Sequence, residues 1–307
     1  MKPLPRTMPS KRGDITLHAL CLSATLSILA MLLVVLWDVI AGGFGTLSLS
    51  FLTENPRDGM TKGGILPAIV GTVALTITMT VAAVPAGVAT AIYLSEYAHA
   101  ESRVARLVRL CIANLAGVPS VVFGLFGLGF FVATVGHGID AAVFGGEPTY
   151  GKPSLIWAAL TLAVLTLPVV VVATEEALRA VPRELRDASL ALGATKFQTI
   201  VKIVLPEALG GILTGAILAV SRGAGEVAPI MFTGVAYFLP ELPSHLNDPF
   251  MSLGYHVYVL ATQSPDVDKT KPLLYGTVLV LLALTFLLNV VAMGIRARIR
   301  SKRAAYR

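Results

Sequence analysis

Six runs of apolar residues, each long enough to cross a lipid bilayer, are the feature of this 307-residue chain that most restricts its fold. A transmembrane helix needs about 20 mostly apolar residues, and a helix satisfies all of its own backbone polar groups in lipid. Only 14% of the residues are charged, against about 25% in soluble domains. The chain is therefore predicted to be an all-α membrane protein with six transmembrane helices. The predicted spans are His18–Ala41, Leu66–Tyr93, Leu107–Val135, Leu155–Thr174, Ala208–Gly234 and Leu273–Ile295.

The basic residues give the predicted orientation of these spans. The first apolar run is too long for the apolar part of a signal peptide, so we interpret it as an uncleaved span. Eighteen of the 24 lysines and arginines fall on one side of the predicted membrane and five on the other. The positive-inside rule then predicts that both termini are cytoplasmic. No basic face is interleaved with aromatic residues, so the net charge of +6 does not indicate nucleic-acid binding.

The long segment between the fifth and sixth spans is predicted to lie outside the cell. It contains one apolar stretch, Phe250–Thr262, which is too short to cross a membrane and is predicted to form an interfacial or re-entrant helix. The five histidines show no metal-ligand spacing, so we interpret them as surface or interfacial residues and predict no metal site and no cofactor.

The polar segment between the fourth and fifth spans has the pattern of a helix–turn–helix. Pro182 suits the first turn of a helix, and Gly193 suits the position after its end, where the chain reverses. Arg183, Arg186 and Asp187 form a predicted charged face. A small apolar stripe at helical spacing comprises Leu185, Ala188 and Leu192, and a second apolar face comprises Phe197, Ile200, Val201 and Val204. Such a surface suits docking into a groove of another protein, although an ordinary solvated loop gives the same pattern.

Two charged residues, Arg222 and Glu226, lie inside the fifth predicted span. Residues four apart share one face of a helix and can pair, which offsets part of a cost of at least about 2.5 kcal/mol for one charge at mid-membrane. Two interpretations stay open: a fixed cation on the route of an anion, or a buried strut that sets the helix register. Small residues four apart predict a close-packing stripe on the same span, namely Gly211, Gly215, Ala219 and Gly223.

Ser120 follows Pro119 in the third predicted span. A proline in a span frees a backbone carbonyl and can bend the helix. The Ser120 hydroxyl is a candidate contact for a passing oxyanion. The alternative is a packing kink in which the hydroxyl bonds to its own helix.

The segment between the fourth and fifth spans resembles the EAA loop of ABC-importer permeases, written E-A-A-x3-G-x9-I-x-L-P. Here the pattern reads Asp187-Ala188-Ser189, then Gly193, then Ile203-Val204-Leu205-Pro206. Asp187 and Ser189 replace the usual Glu and second Ala, and the spacing is kept. The resemblance implies that the loop couples the membrane helices to a separate ATPase. The implied coupling residues are Arg183, Asp187, Ala188, Ser189, Gly193, Leu205 and Pro206.

The charged segment Arg222–Pro229 reads R-x-x-G-E-x-A-P and resembles the phosphate-specific permeases of bacterial ABC importers, of the PstA type. The stretches Gly63–Thr72, Ala91–Tyr97 and Gly117–Leu125 agree with that resemblance. It implies a MetI-like permease core that imports inorganic phosphate by alternating access, with Arg222, Glu226 and Ser120 as candidate path residues. The implied partners are a PstC-like sister permease, a PstB-like ATPase dimer, a PstS-like phosphate-binding protein and the lipid of a bacterial inner membrane.

The expected organisation has four parts: a cytoplasmic tail at 1–16, the first span with an external loop at 17–62, the permease domain at 63–296 and a basic cytoplasmic tail at 297–307. The string Gly146–Lys152 has the G-x4-G-K spacing, but proline follows it, so we attribute it to chance. We therefore expect a transporter subunit, not an enzyme, with ATP hydrolysed by a partner. Alternatives are a permease for sulfate or molybdate, a membrane enzyme acting on phosphorylated lipids, and a secondary transporter.

Overall fold

The computed structural model describes residues 11–57, 62–99, 102–264 and 266–304. Within these ranges, six segments are helical, long and apolar enough to cross a membrane, which confirms the predicted number of spans and the all-α class. The six segments are Ile15–Thr46, Leu66–Tyr97, Ser120–Val143, Leu155–Arg179, Lys196–Gly223 and Val267–Ile299.

The helices of the first half of the chain alternate between long spans and short connecting pieces. They are α1 (Lys11–Gly43), α2 (Leu49–Thr53), α3 (Leu66–Ile92), α4 (Arg103–Leu115), α5 (Ser120–Phe126), α6 (His137–Val143) and α7 (Leu155–Arg179). A π-helical turn, Tyr93–Tyr97, extends α3, and the π-helical segment Gly127–Gly136 joins α5 to α6 in one span. Two short antiparallel strands, β1 (Pro56–Arg57) and β2 (Lys62–Gly63), pair with Pro56 opposite Gly63.

The second half contains the loop helices and two further spans. Its helices are α8 (Arg183–Ala191), α9 (Lys196–Thr199), α10 (Leu205–Gly223), α11 (Ile230–Thr233), α12 (Leu253–Thr262) and α13 (Val267–Ala304). The π-helical turn Ile200–Val204 joins α9 to α10. Helix α10 begins at Leu205, three residues before the predicted start of the fifth span at Ala208, and Pro206 lies in its first turn.

The prediction of one span over Leu107–Val135 is wrong, because α4 is a separate helix and the third span begins at Ser120. The chain turns between them and α5 begins directly after Pro119, whose ψ of 140° is extended. Proline lacks an N–H and suits the start of a helix, where that donor is not needed. The side chain of Arg109 also holds α4 beside the π-helical turn that follows α3, since its guanidinium donates to the Leu94 carbonyl at 2.7 Å.

The fifth span is shorter at its far end than predicted, because α10 ends at Gly223 and does not run on to Gly234. Gly223 and Gly225 have low helix propensity, and Pro229 cannot continue a helix. The chain therefore leaves the helix inside the charged motif, and α11 begins only after Pro229.

The centre of the bundle is α7, which packs between α3 and α10. Leu75 and Met79 of α3 and Leu162 of α7 are buried in one apolar cluster. A β-carbon added to Gly87 of α3 would lie 2.8 Å from the β-carbon of Val170, so this glycine permits close approach of the two helices. Small residues at such crossings bring helix backbones together where no hydrophobic effect drives association.

The first and last spans, α1 and α13, lie at the edge of the bundle. None of the residues in the most apolar window of either span is buried. The two helices contact each other, and the Tyr275 hydroxyl of α13 donates to a carboxylate oxygen of Asp38 in α1 at 2.7 Å. The exposed apolar side chains of both helices suit a position that faces the membrane or another subunit.

The predicted short helix near Phe250–Thr262 is α12, and it is embedded in the protein rather than laid on a surface. Leu253 and Val259 are buried, and the backbone N–H of Leu253 donates to the hydroxyl of Thr72 in α3 at 2.9 Å. His256 in the same helix is also buried. The interpretation of every histidine as a surface or interfacial residue is therefore wrong for His256, because α12 packs against α3 and α13.

Candidate functional site

The segment between the fourth and fifth spans is a helix–turn–helix, as predicted. Helix α8 begins after Pro182, and its end is closed by Gly193, whose φ of 84° is the left-handed conformation that glycine adopts at little cost. The N–H of Gly193 donates to the Leu190 carbonyl at 2.9 Å. Helix α9 then begins with a capping box between Thr195 and Gln198. We call the segment Arg183–Val204 the coupling loop, after the loop of ABC-importer permeases that its sequence resembles.

The coupling loop presents an exposed surface that is partly charged and partly apolar. Arg183, Asp187 and Ala188 are exposed, and Leu192 at the tip has 89% of its surface exposed. Ser189 is half-buried, and its hydroxyl lies 2.9 Å from that of Thr199 in α9, which ties the two helices together. Leu205 and Pro206 lie half-buried at the start of α10.

The second apolar face that the sequence predicts is divided between two environments. Ile200 and Val204 are buried against the bundle, whereas Phe197 and Val201 are exposed. The loop is therefore anchored on one side while Phe197 adds apolar surface to its outer side.

Arg186 does not lie on the outer charged face, so that part of the prediction is wrong. Its guanidinium turns inward, where Nη1 donates to the Val181 carbonyl at 2.6 Å and Nη2 donates to the Leu178 carbonyl at 2.7 Å. Nη2 also lies 3.0 Å from a carboxylate oxygen of Glu96. The last carbonyls of a helix have no partner within that helix. The positive guanidinium of Arg186, which reaches from α8 to the end of α7, is therefore favourable there.

Sequence reasoning missed Glu96 as a partner of the coupling loop. Glu96 lies in the π-helical turn after α3, in the stretch Ala91–Tyr97 that carries part of the family resemblance. Its neighbour Tyr97 lies beneath the ammonium group of Lys196 in α9, with 5.2 Å between the nitrogen and the ring centroid. That sequence stretch was a signal, but 90 residues separate Glu96 from Arg186, so no local pattern indicates the pairing.

Arg222 and Glu226 form an ion pair, as predicted, but not on one helix. Arg222 lies in the last turn of α10, and Glu226 follows the end of the helix. Their closest approach joins Nε of Arg222 to a carboxylate oxygen of Glu226 at 3.6 Å, and the two side chains are 46% and 22% exposed. The guanidinium is therefore partly accessible and only loosely held.

The motif around this pair packs against α5. A β-carbon added to Gly124 would lie 3.0 Å from the Pro229 carbonyl oxygen and 3.1 Å from the Ala228 carbonyl oxygen. Two stretches singled out by the sequence, Gly117–Leu125 and Arg222–Pro229, thus contact each other. Ser120 is the half-buried first residue of α5 and lies one helical turn before Gly124.

The predicted close-packing stripe of α10 is confirmed by its contacts. A β-carbon on Gly215 would lie 2.6 Å from the β-carbon of Ala173 in α7, and Ala219 is buried. A β-carbon on Gly223 would contact the sulfur of Met79 in α3. One side of α10 is thus committed to packing, and the residue next to Arg222 touches α3.

Six helices long and apolar enough to cross a membrane make the chain a polytopic membrane protein, and the comparison with known proteins gives its class. Residues 83–304 match the family described as binding-protein-dependent transport system inner membrane component. The chain belongs to this family. It is accordingly a permease subunit of an ABC importer and not an enzyme, which removes the membrane-enzyme and secondary-transporter alternatives.

Several relatives with assigned names share most of the chain. It is 36% identical to phosphate transport system permease protein PstA 1 of Mycobacterium tuberculosis (strain CDC 1551 / Oshkosh), over 85% of this chain and 81% of the relative. It is 34% identical to phosphate transport system permease protein PstA of Haemophilus influenzae, over 81% of each chain. It is 33% identical to the probable ABC transporter permease protein YqgI of Bacillus subtilis, over 79% of this chain and 82% of the relative.

Solved structures of ABC transporters share the fold. A bacterial alginate ABC transporter matches with a TM-score of 0.69 and 13% identity, over 94% of this chain and 96% of that chain. The MetNI methionine ABC transporter in an inward-facing conformation matches with a TM-score of 0.58 and 19% identity, over 76% and 95%. These likenesses confirm the MetI-like core that the sequence predicts.

Proposed function

We propose that this chain is a transmembrane permease subunit of an ATP-driven importer of inorganic phosphate. The observation that carries the proposal is the partly exposed guanidinium of Arg222 beside Glu226, in a chain whose relatives are phosphate transport permeases. Arginine suits a phosphate route because it stays charged and its planar fork pairs with two oxygens. Glu226 weakens binding, which conduction requires. Ser120, one turn from the Gly124 contact, is a further candidate donor to the anion.

The transport cycle is alternating access driven by a partner. The exposed residues Arg183, Asp187, Ala188 and Leu192 form the docking surface for an ATPase, and Gly193 is the turn that keeps this surface compact. Closure of the ATPase on ATP moves the coupling loop, and Leu205 and Pro206 pass that movement to α10. Phosphate then passes Arg222 as the bundle opens to the other side.

The partners follow from the family and from the surfaces that the fold leaves uncovered. A PstC-like sister permease completes the pore, a PstB-like ATPase dimer binds the coupling loops, and a PstS-like protein delivers phosphate. The excess of basic residues on the side of the coupling loop supports an orientation in which both termini lie in the cytoplasm, on the inner side of an inner membrane. The permease domain runs from about residue 63 to 296, between the 17–62 segment and the basic C-terminal tail.

Uptake of radiolabelled phosphate tests the substrate. A strain that lacks this gene and other phosphate importers is compared with the same strain carrying the gene or its Arg222→Ala variant, each with excess sulfate or molybdate. We expect gene-dependent uptake that neither competitor reduces and that Arg222→Ala abolishes. Phosphate uptake that sulfate or molybdate reduces shows that the route also accepts that oxyanion, and phosphate uptake that does not depend on the gene contradicts the proposed substrate.

A further inference from the structure

The π-helical turn Tyr93–Tyr97 touches both arms of the coupling loop. Glu96 pairs with Arg186 on α8 at 3.0 Å, and the ammonium group of Lys196 on α9 makes a cation–π contact with the ring of Tyr97. The loop is joined to α7 and α10 by the chain itself, but it follows α3 by more than 80 residues. These two contacts therefore connect the loop to a span that is not next to it in the chain.

The pair between Arg186 and Glu96 is built to hold its position. Both side chains are largely buried, with 19% and 10% of their surfaces exposed. Arg186 also donates to the carbonyls of Leu178 and Val181, so one guanidinium fixes the end of α7 and the extension of α3 together. A buried arginine that satisfies three acceptors has little freedom to move independently of them.

Helix α3 leads from this contact to the proposed phosphate route. Seventeen residues separate Glu96 from Met79, which is about 25 Å along a helix at 1.5 Å per residue. Met79 is fully buried and lies against Gly223, the neighbour of Arg222. A movement of α3 along its axis is thus felt next to Arg222, because packed interiors transmit displacement rather than absorb it.

We propose that Glu96 and Tyr97 fasten the coupling loop to α3, so that the loop moves α3 together with α7 and α10 when the ATPase closes. Glu96 and Arg186 are positioning residues that act through α3 and do not contact phosphate. This inference rests on the proposed function, since it assumes that the loop receives the movement of an ATPase.

The test measures phosphate imported per ATP hydrolysed, in proteoliposomes that hold the complete complex of both permeases, the ATPase and the binding protein. The variants are Glu96→Leu, which removes the acceptor, and Glu96→Gln, which keeps an acceptor without the charge. We expect assembly and ATP hydrolysis within about twofold of wild type. The import ratio falls about tenfold for Glu96→Leu and about threefold for Glu96→Gln, following the grading of charged and neutral hydrogen bonds.

The matched control is Arg179→Ala, which breaks an arginine–carboxylate contact of 3.6 Å to Glu175 near the end of α7 without touching the coupling loop. Its import ratio stays at the wild-type value, because the long contact of the mostly exposed Arg179 contributes little and Glu175 keeps its ion pair with Arg109 at 3.3 Å. An import ratio that stays within twofold of wild type in both Glu96 variants, or that falls equally in Arg179→Ala, overturns the inference. Tyr97→Leu replaces Glu96→Leu if the latter does not assemble, and an unchanged ratio in Tyr97→Leu and Glu96→Gln also overturns it.

A wild-type complex that imports no phosphate refutes the proposed substrate and leaves the inference testable. The import ratio is then measured with the oxyanion that the complex does import, sulfate or molybdate. The two failures are therefore distinguishable in one set of vesicles.

Discussion

Among the arginine–glutamate pairs of the described residues, the pair at the end of α10 and the pair beneath the coupling loop have opposite character. Arg222 and Glu226 are four residues apart, contact at 3.6 Å and leave the guanidinium 46% exposed. Arg186 and Glu96 are 90 residues apart, contact at 3.0 Å and are mostly buried, with two backbone carbonyls completing the arginine's partners. A loose, accessible pair suits a ligand that must bind and leave, and a saturated, buried pair suits the transmission of movement.

The largest effect is expected at the loose pair. Arg222→Ala removes the charged donors proposed to meet phosphate, and two charge-assisted hydrogen bonds at about 1.5–3 kcal/mol each correspond to a loss of about 100-fold or more in uptake. The measurement is the initial rate of phosphate uptake, with the amount of assembled complex determined in the same membranes.

The matched variant Arg222→Lys keeps the charge but not the planar fork, and we expect it to recover part of the rate. Failure of Arg222→Ala to assemble indicates instead that the pair is a structural strut. The comparison then breaks, because both pairs would serve to hold helices.

The next effect is expected on the side of the buried pair, at the turn of the coupling loop. Gly193→Val places a β-branched residue at a φ of 84°, which costs about 1–2 kcal/mol or more, so uptake falls by about tenfold or more while the protein still inserts. Gly193→Asn is the matched variant, since asparagine tolerates this conformation, and it retains most of the uptake. Normal uptake by Gly193→Val shows that the turn is not required for coupling.

A smaller effect is expected where α5 packs against the segment that follows Arg222. Gly124→Ala brings a methyl group within 3.0–3.1 Å of the carbonyl oxygens of Pro229 and Ala228, and backbone atoms give way only with difficulty. Overpacking of this kind costs about 1–3 kcal/mol, so we expect the unfolding midpoint in detergent to fall by about 2–6 °C.

Gly129→Ala is the control for Gly124→Ala, because its β-carbon would meet nothing within 4 Å. Its midpoint stays near that of the wild type, and its uptake is unchanged. Equal midpoints for the two variants contradict the close approach of α5 to the charged motif.

The smallest effect is expected at Glu226. Its contact with Arg222 is long and partly exposed, and such pairs contribute about 0–1 kcal/mol. Glu226→Gln leaves Arg222 more attractive to phosphate, so the KM for uptake falls by about threefold and kcat falls by a similar factor, because release slows. A rise in KM instead indicates that Glu226 positions Arg222 for binding.

The sequence by itself determined the class of the protein and most of its outline. Apolar runs of sufficient length dictate membrane-crossing helices, since apart from a closed β-barrel only a helix satisfies all of its backbone hydrogen bonds in lipid. The turn at Gly193, the stripe from Gly211 to Gly223 and the pairing of Arg222 with Glu226 were also predictable, because each depends on residues close together in the chain.

Sequence reasoning failed where one signal continued across a structural boundary. The apolar residues of α4 run on into the third span, so hydropathy did not separate them, and only the tether of Arg109 to Leu94 and the break before Pro119 did. In the fifth span, the apolar residues around Pro229 hid the end of α10 at Gly223.

Only the tertiary structure decided which charges face inward. Arg183 and Arg186 are one helical turn apart on α8 and look equivalent in sequence, yet Arg183 is exposed and Arg186 is half-buried, with its guanidinium turned toward the ends of α3 and α7. The physical reason is that the partners of Arg186 are a carboxylate 90 residues away and the backbone carbonyls of Leu178 and Val181, in the last turn of α7 and just after it. Contacts between residues so distant in sequence depend on how the helices pack, and no periodic pattern in the local sequence indicates that packing.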